Sequence, residues 1–158
     1  MLKNSIWLCL LFCSLLVHGQ KKKELKKYGI RSVTTTETAA GKTIPDSKCT
    51  YDANGLLLEE VNYNKEGQLK SKTTYKYNKS GDVIEETELD EKNGIKEKRT
   101  YKYNAMGDKS EEIVSDAAGK QLKRMVYTYD SRGFKTEKKV YDAANNLVSV
   151  KKYSYTGK

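Results

Sequence analysis

The chain has 158 residues and a formal net charge of +9, from 30 lysines and arginines against 21 aspartates and glutamates. Its one histidine, His18, and two of its three cysteines, Cys9 and Cys13, lie in a leader that we predict to be removed. What remains has no histidine for a catalytic triad and one thiol, Cys49, where a structural zinc site needs about four nitrogen or sulfur ligands. We therefore expect no metal, no cofactor and no enzymatic activity. Cys49 is predicted to be buried and inert, with a disulfide between two chains as the alternative.

Residues 1–19 have the pattern of a secretory signal peptide. Lys3 precedes an apolar stretch over residues 6–17, and cleavage is expected after residue 19. The protein is then exported, to the periplasm, the outer surface or the medium. Lipid attachment at Cys13 is a less favoured alternative, because the bulky Phe12 stands where that processing needs a small residue. No later stretch approaches the roughly 18 apolar residues of a membrane-spanning helix, so we expect no membrane span.

Residues 20–29 are predicted to form a basic N-terminal arm. The segment Lys21–Lys27 contains five lysines against one glutamate. A like-charge block of this kind is usually solvated and mobile. We expect a mobile arm that makes weak electrostatic contact with anionic surfaces.

A repeat with a 26-residue period occupies the rest of the chain. A tyrosine, or a residue in its place, recurs at alternating gaps of 12 and 14 residues. Asp or Asn follows it directly, and Gly usually stands four residues after it. Asp or Asn opening a turn and a left-handed Gly closing it are typical of type I turns, and a fixed period marks a repeat array. Asn145 replaces one glycine, Asn93-Gly94 carries it one place late, and both are expected to keep the geometry. The repeat positions are Tyr51, Tyr63, Tyr77, Leu89, Tyr103, Ser115, Tyr129, Tyr141 and Tyr155.

Connections this short leave sequential strands only antiparallel pairing. We predict an all-β domain over residues 30–158, an antiparallel β-meander of ten short strands that is either a single curled sheet or a partly closed barrel. The same spacing extended backwards places a further turn between Glu37 and Gly41. Pro45 predicts a bulge or an edge in the second strand. The predicted strands are 30–37, 42–51, 56–63, 68–77, 82–89, 95–103, 108–115, 120–129, 134–141 and 146–155.

Period-two alternation places two tyrosines of each longer strand on one face. Pairing Tyr77 with Asp82 across the turn sets Tyr75 opposite Ile84. A tyrosine ring suits stacking on sugars or on another protein, so these residues are the candidate ligand-binding site. Alternatively, they pack on one another and on apolar residues of the same face, which are Leu56, Leu58, Leu69, Ile84, Ile95, Phe134 and Leu147. The candidates are Tyr75, Tyr77, Tyr101, Tyr103, Tyr127, Tyr129, Tyr153 and Tyr155.

Charge is divided by strand type. The longer strands carry most of the cations, and alternating acidic and basic strands place opposite charges across the ladder, each pair contributing about 0.2 to 1 kcal/mol. Adjacent glutamates point to opposite faces and recur once in each repeat, so we interpret them as architecture and not as a glycosidase pair. At one repeat position the shorter strands carry Glu59-Glu60, Glu85-Glu86, Glu111-Glu112 and Glu137-Lys138.

The motif Tyr-Asp-x-x-Gly followed by an apolar residue resembles the YD repeat of Rhs-type proteins, most clearly at residues 51–56 and 129–134. The resemblance covers about residues 30–157 and implies an exported β-repeat protein with a link to carbohydrate binding. We expect a non-enzymatic module that binds an envelope glycan or a surface protein through a tyrosine and lysine surface. Nucleic acid is not an expected partner of an exported protein. The alternative is a structural component that self-associates through its sheet edges or its tyrosine face.

Overall fold

A computed structural model describes residues 20–157 and shows one antiparallel sheet of ten strands in sequence order. The predicted signal peptide lies outside the described residues. Every strand pairs only with its neighbours in sequence, so β1 and β10 are the two edges and the sheet is not closed. The all-β meander is confirmed, as the open sheet and not as a partly closed barrel. The elements are α1 (Gln20–Lys27), β1 (Ser32–Ala39), β2 (Lys42–Tyr51), β3 (Leu57–Tyr63), β4 (Leu69–Tyr77), β5 (Val83–Leu89), β6 (Ile95–Tyr103), β7 (Lys109–Ser115), β8 (Gln121–Tyr129), β9 (Lys135–Tyr141) and β10 (Leu147–Lys152).

The eight connections from β2–β3 to β9–β10 share one turn geometry. In the first of them the Asp52 amide donates to the Leu56 carbonyl, the Gly55 amide donates to the Asp52 carbonyl, and Asp52 Oδ1 accepts from two further amides, those of residues 54 and 56. Gly55 takes a φ of 76°, which is costly for a residue with a Cβ. Asn93 and Asn145 occupy the same left-handed position with φ of 60° and 63°. The predicted turns, including the two degenerate ones, are confirmed.

The β1–β2 hairpin departs from this pattern. Ala40 and Gly41 both have positive φ, of 51° and 76°, between the paired residues Ala39 and Lys42. Two consecutive left-handed residues define a tight type I′ turn, so the chain reverses later than the repeat spacing predicted. Thr38 stands where the other turns have Asp or Asn. Without an Asp or Asn side chain to hold the longer turn, Thr38 instead bonds the Thr43 hydroxyl at 2.8 Å.

Pro45 lies beside an irregularity in the β1–β2 ladder, as predicted. Thr35 pairs with Ser47 and Thr36 pairs with Pro45, which leaves Asp46 as an extra residue. A proline has no amide hydrogen for the ladder, and a bulge accommodates that loss. The prediction of a bulge at this position is confirmed.

Residues 20–27 are a helix, so the prediction of a mobile arm was wrong. Leu25 is 7% exposed and packs with Cys49 and Tyr51. Gly29 closes the helix with a φ of 64°, and the Ile30 amide donates to the Leu25 carbonyl at 2.9 Å, which is the pattern of a Schellman cap. One apolar residue among the lysines therefore fixes the segment to the sheet.

The helix also lies close against the β2–β3 turn. A Cβ built on Gly55 would lie 2.6 Å from the Lys22 carbonyl oxygen. Glycine is therefore required at residue 55 both for its backbone conformation and for this close approach. Within residues 20–157, no helix is long and apolar enough to cross a membrane.

The predicted pairing of Tyr75 with Ile84 was wrong. Tyr75 lies opposite Glu86, Lys76 opposite Glu85 and Tyr77 opposite Val83. The turn closes on residues 78 and 82, and a bulge directly after it adds Ile84 to one strand without a partner. Every hairpin from β2–β3 onward has a register shift of this kind.

One face of the sheet is covered by ion pairs between neighbouring strands, as the division of charge predicted. Glu85 bridges Lys76 and Lys98, each at 2.8 Å. A hydrogen bond from Lys76, and a second one from Lys98, hold the pKa of Glu85 below its ordinary value. We call this surface the ion-pair face. Its other cross-strand pairs are Lys72–Glu59 at 2.5 Å, Lys102–Glu111 at 2.6 Å and Arg124–Glu111 at 3.4 Å.

The left-handed Ala40 gives a test of the turn geometry. Ala40→Asn is expected to stabilise the β1–β2 hairpin by about 1 kcal/mol, because asparagine tolerates this conformation better than alanine and Asn-Gly is the preferred type I′ pair. Amide hydrogen exchange in β1 and β2 is expected to slow about fivefold. Ala53→Asn is the matched control, since Ala53 has no positive φ. Equal slowing in both variants would contradict the assigned turn.

Candidate functional site

The tyrosines predicted as ligand-binding residues lie on the face opposite the ion-pair face, which we call the tyrosine face and which also holds ion pairs of Glu112 with Arg99 and Lys109. Cross-strand pairing sets Tyr75 opposite Glu86, Tyr101 opposite Glu112 and Tyr127 opposite Lys138. Within each strand pair, an aromatic ring thus alternates with a charged residue. The structure brings the eight predicted residues onto one side of the sheet but gives them three different environments.

Four of the tyrosines, which we call the outer tyrosines, donate hydrogen bonds to backbone carbonyls of the preceding strand. The accepting residues are the first residues of β3, β5, β7 and β9, where the register shifts. A bulge disrupts the ladder locally, and the hydroxyl supplies a partner there. Burial raises the pKa of Tyr77 to about 12. The bonds are Tyr77 to Leu57 at 2.6 Å, Tyr103 to Val83 at 2.6 Å, Tyr129 to Lys109 at 2.7 Å and Tyr155 to Lys135 at 2.8 Å.

The other four are the inner tyrosines, and two of them, Tyr101 and Tyr127, are engaged with carboxylates of the preceding strand. Tyr127 Oη donates to Glu112 Oε2 at 3.1 Å, and Glu112 is buried. Burial, with added repulsion from Glu86, raises the pKa of Tyr101. Tyr101 is only 8% exposed, and Lys109 Nζ lies 3.9 Å from its ring centroid. Its ring is covered and does not present a free stacking surface.

At the N-terminal end of the sheet, the helix covers the tyrosine face. Cys49 and Tyr51 stand one full repeat before Tyr75 and Tyr77, so a cysteine replaces the inner tyrosine of this repeat. The smaller side chain leaves room for Leu25, which packs there with Cys49 and Tyr51. Cys49 is 3% exposed, which agrees with the predicted buried thiol and leaves no accessible sulfur for a second chain.

At β8–β10 the same face is open and basic. Lys135 Nζ lies 4.7 Å from the ring centroid of Tyr127 and 6.0 Å from that of Tyr153. Lys138 lies 5.7 Å from Tyr127, and Lys151 lies 5.3 Å from Tyr153. Cation–π contacts of this length are favourable by about 0.5 to 1 kcal/mol at exposed sites. We call this group the cationic tyrosine cluster: Tyr127, Tyr129, Tyr153, Tyr155, Lys135, Lys138 and Lys151.

The aliphatic side chains that were the alternative packing partners are mostly exposed. Ile84, Ile95 and Leu147 each have more than a third of their surface in solvent. Phe134 does contact Tyr155, with ring centroids 5.0 Å apart. The tyrosines are therefore held mainly by hydrogen bonds and cations, and only in part by apolar packing.

A shallow groove of about 730 Å³ lies between the turns after β4 and β6. Tyr101 and Tyr103 line it, with the polar side chains Asn78 and Asp82. Because Asn78 Nδ2 donates to Asp82 Oδ2 at 3.0 Å, these two groups already satisfy one another.

The turn carboxylates are used by the backbone and not assembled into a metal site. Asp116 Oδ1, for example, accepts from the amides of Ala118 and Lys120. Among residues 20–157, no group of three or more His, Cys, Asp or Glu side chains is placed to hold a metal ion.

Comparison with known proteins gives distant structural matches. No protein family and no curated protein matches the chain. A porin-like protein from Bacteroides uniformis is 14% identical, with 79% of this chain covering 50% of that one and a TM-score of 0.45. S. aureus TarM is 13% identical over 79% of this chain and 22% of that chain, with a TM-score of 0.31. A Bacteroides fragilis protein of unknown function is 16% identical, covering 80% and 96% of the two chains, with a TM-score of 0.23. Similarities at this level carry no inference about activity.

Tyr103→Phe tests whether the hydroxyls support the sheet. The change leaves the Val83 carbonyl without its 2.6 Å partner and is expected to lower the free energy of unfolding by about 1 kcal/mol, measured by urea denaturation. Tyr28→Phe is the control, because Tyr28 is 68% exposed and its hydroxyl has no hydrogen-bond partner within the described chain. Equal losses from the two variants would show that the hydrogen bond is not the cause.

Proposed function

We propose that this protein is an exported, non-enzymatic module that binds an envelope glycan through the cationic tyrosine cluster. The observation that carries the proposal is the open aromatic surface at β8–β10, where the rings of Tyr127 and Tyr153 are flanked by lysines. Tyr155, at the rim of this surface, is 52% exposed. The predicted signal peptide and the resemblance to YD repeats support an extracytoplasmic role.

The chemistry of the cluster suits a sugar. A tyrosine ring offers a flat apolar surface for the C–H groups of a pyranose and a polar edge for its hydroxyls. The outer rings are fixed in place, since the Tyr129 and Tyr155 hydroxyls bond backbone carbonyls. A preformed surface loses little conformational entropy on binding.

A glycan fits this surface better than a surface protein does. The centre of a protein–protein interface is depleted of charged residues, whereas lysines lie beside the rings of this cluster. A hydrated polysaccharide has hydroxyl and acidic groups that pair with lysines while a sugar ring stacks. Of the eight predicted tyrosines, the proposed binding surface keeps Tyr127, Tyr129, Tyr153 and Tyr155, because the lysine contacts of Lys135, Lys138 and Lys151 lie at this end of the sheet.

The proposal is tested on a glycan array with the secreted form of the chain. Tyr153→Ala removes a half-buried ring whose hydroxyl has no protein partner within residues 20–157. It is expected to weaken glycan binding about tenfold, equivalent to about 1.4 kcal/mol. Tyr141→Ala is the matched control, because Tyr141 contacts Arg124 on the ion-pair face. Binding that is absent in the parent protein, or unchanged in Tyr153→Ala, contradicts the proposal.

A second candidate, an assembly component, is favoured by the edges of the sheet. All eight residues of β1 and all six of β10 are exposed, and β10 presents Val148 at 64% and Leu147 at 53% exposure. An edge strand with free amide and carbonyl groups is a template for pairing with another chain. Lys151 and Lys152 place charge on only one end of β10.

Light scattering over a concentration series tests this second candidate. If the edge mediates assembly, the parent protein is expected to gain mass with concentration, and Val148→Lys is expected to remain a monomer because a charge at an edge disfavours strand addition. Leu122→Lys serves as the control, since Leu122 is 45% exposed but lies on the interior strand β8. A parent protein that stays monomeric at high concentration counts against assembly.

A further inference from the structure

The charged column beside the inner tyrosines changes sign once along the sheet. Glu60, Glu86 and Glu112 recur at 26-residue spacing, and Lys138 occupies the fourth position. The Glu112 carboxylate accepts the Tyr127 hydroxyl from the next tyrosine-bearing strand. The same 15-residue spacing assigns Lys138 to Tyr153. Lys138 cannot accept a hydrogen bond from the Tyr153 hydroxyl, because an ammonium group only donates.

The substitution also sets like charges against each other. Lys138 lies directly opposite Lys151 across the β9–β10 ladder, an arrangement that destabilises a sheet. Lys135 approaches the same tyrosines from the start of β9. Within residues 20–157, none of these three lysines has a carboxylate at ion-pair distance. Lys139, on the opposite face, does pair with Glu137 at 2.9 Å.

Among the described residues, the one favourable contact that the fold gives Lys138 is the 5.7 Å approach to the Tyr127 ring, and a glutamate would gain more. A glutamate at residue 138 would face Lys151 with the opposite charge, and it would accept the Tyr153 hydroxyl as Glu112 accepts that of Tyr127. Local rules are most often broken at functional sites. Three cations without a carboxylate partner in the described chain, around the half-buried ring of Tyr153, are the complement of a ligand that carries both negative charge and a flat apolar surface.

We propose that Lys135, Lys138 and Lys151 bind the acidic groups of a polysaccharide whose sugar ring stacks on Tyr153. This inference rests on the proposed glycan binding and specifies its ligand as an acidic glycan. Ammonium groups bind carboxylates as point charges, so sugars bearing one acidic group per ring match a surface with several separate lysines. In the preceding repeats the same positions are Glu60, Glu86 and Glu112, and these carboxylates disfavour an acidic ligand on the rest of the tyrosine face.

Isothermal titration with an oligogalacturonate, and with its fully methyl-esterified form as the neutral counterpart, tests the assignment. The parent protein is expected to bind the acidic form at least tenfold more tightly, with affinity falling as salt is added. Lys138→Glu restores the residue of the preceding repeats and is expected to abolish that preference while keeping the fold and its thermal stability. Lys152→Glu makes the same charge change on the opposite face of β10 and is expected to leave the preference intact.

Failure of the acidic ligand and failure of glycan binding give different results in this experiment. Equal binding of the acidic and neutral forms overturns the acidic ligand but keeps the glycan-binding function. Equal loss in Lys138→Glu and Lys152→Glu means that net charge and not the named lysines attracts the ligand, which also overturns the assignment. No binding of either form, with binding to another, neutral glycan on the array, overturns the acidic ligand alone, whereas no binding to any glycan contradicts both proposals. A Lys138→Glu protein that unfolds is replaced by Lys138→Gln, for which loss of the preference supports the assignment and its retention overturns it.

Discussion

The sheet depends on contacts between strands that are adjacent in sequence, because within residues 20–157 no second layer packs over most of either face. Few side chains are fully removed from water, and the buried apolar residues are scattered along the sheet rather than gathered in one core. Hydrophobic burial is therefore a smaller contribution here than in a layered domain. The ladder, the ion pairs and the tyrosine hydroxyls take its place, each joining one strand to the next. Stability in such an array is approximately a sum of unit and neighbour terms, so the strength of any hairpin is set locally.

The architecture was predictable to the extent that its determinants are local. An Asp or Asn with Gly or Asn three residues later specifies a turn by itself, and this signal placed the strand bounds within one residue from β2 to β9. The register was not predictable, because the bulge after each turn depends on how two strands meet and, at alternate turns, on a tyrosine from a third strand. Helix α1 was missed for a related reason. Its eight residues hold one apolar side chain, Leu25, and its stability comes from a tertiary contact with a position where cysteine replaces tyrosine.

The candidate site was predictable in its residue types but not in its extent. Spacing alone identified which tyrosines share a face. It could not show that Tyr103 and its counterparts use their hydroxyls to bond backbone carbonyls, or that a lysine covers Tyr101, since these contacts join residues from different strands. The sign change at Lys138 was present in the sequence as an exception within an otherwise acidic column. The sequence did not show that Lys151 lies opposite Lys138 in the ladder, which groups these lysines into one cationic cluster.

The hydrogen bond from each outer tyrosine to a backbone carbonyl has a consequence for how related chains differ in size. The acceptor lies on the strand just before the tyrosine's own, so the set of interactions closes within one 26-residue unit and its neighbour. Duplication or deletion of a whole unit inside the sheet leaves all remaining contacts as they were. Loss of a single strand would instead put odd and even strands out of phase and set acidic strands beside acidic ones. Related chains are therefore expected to differ in length by whole 26-residue units, each of two hairpins. The first repeat, which holds the helix, and the repeat that bears the lysines are expected to be retained.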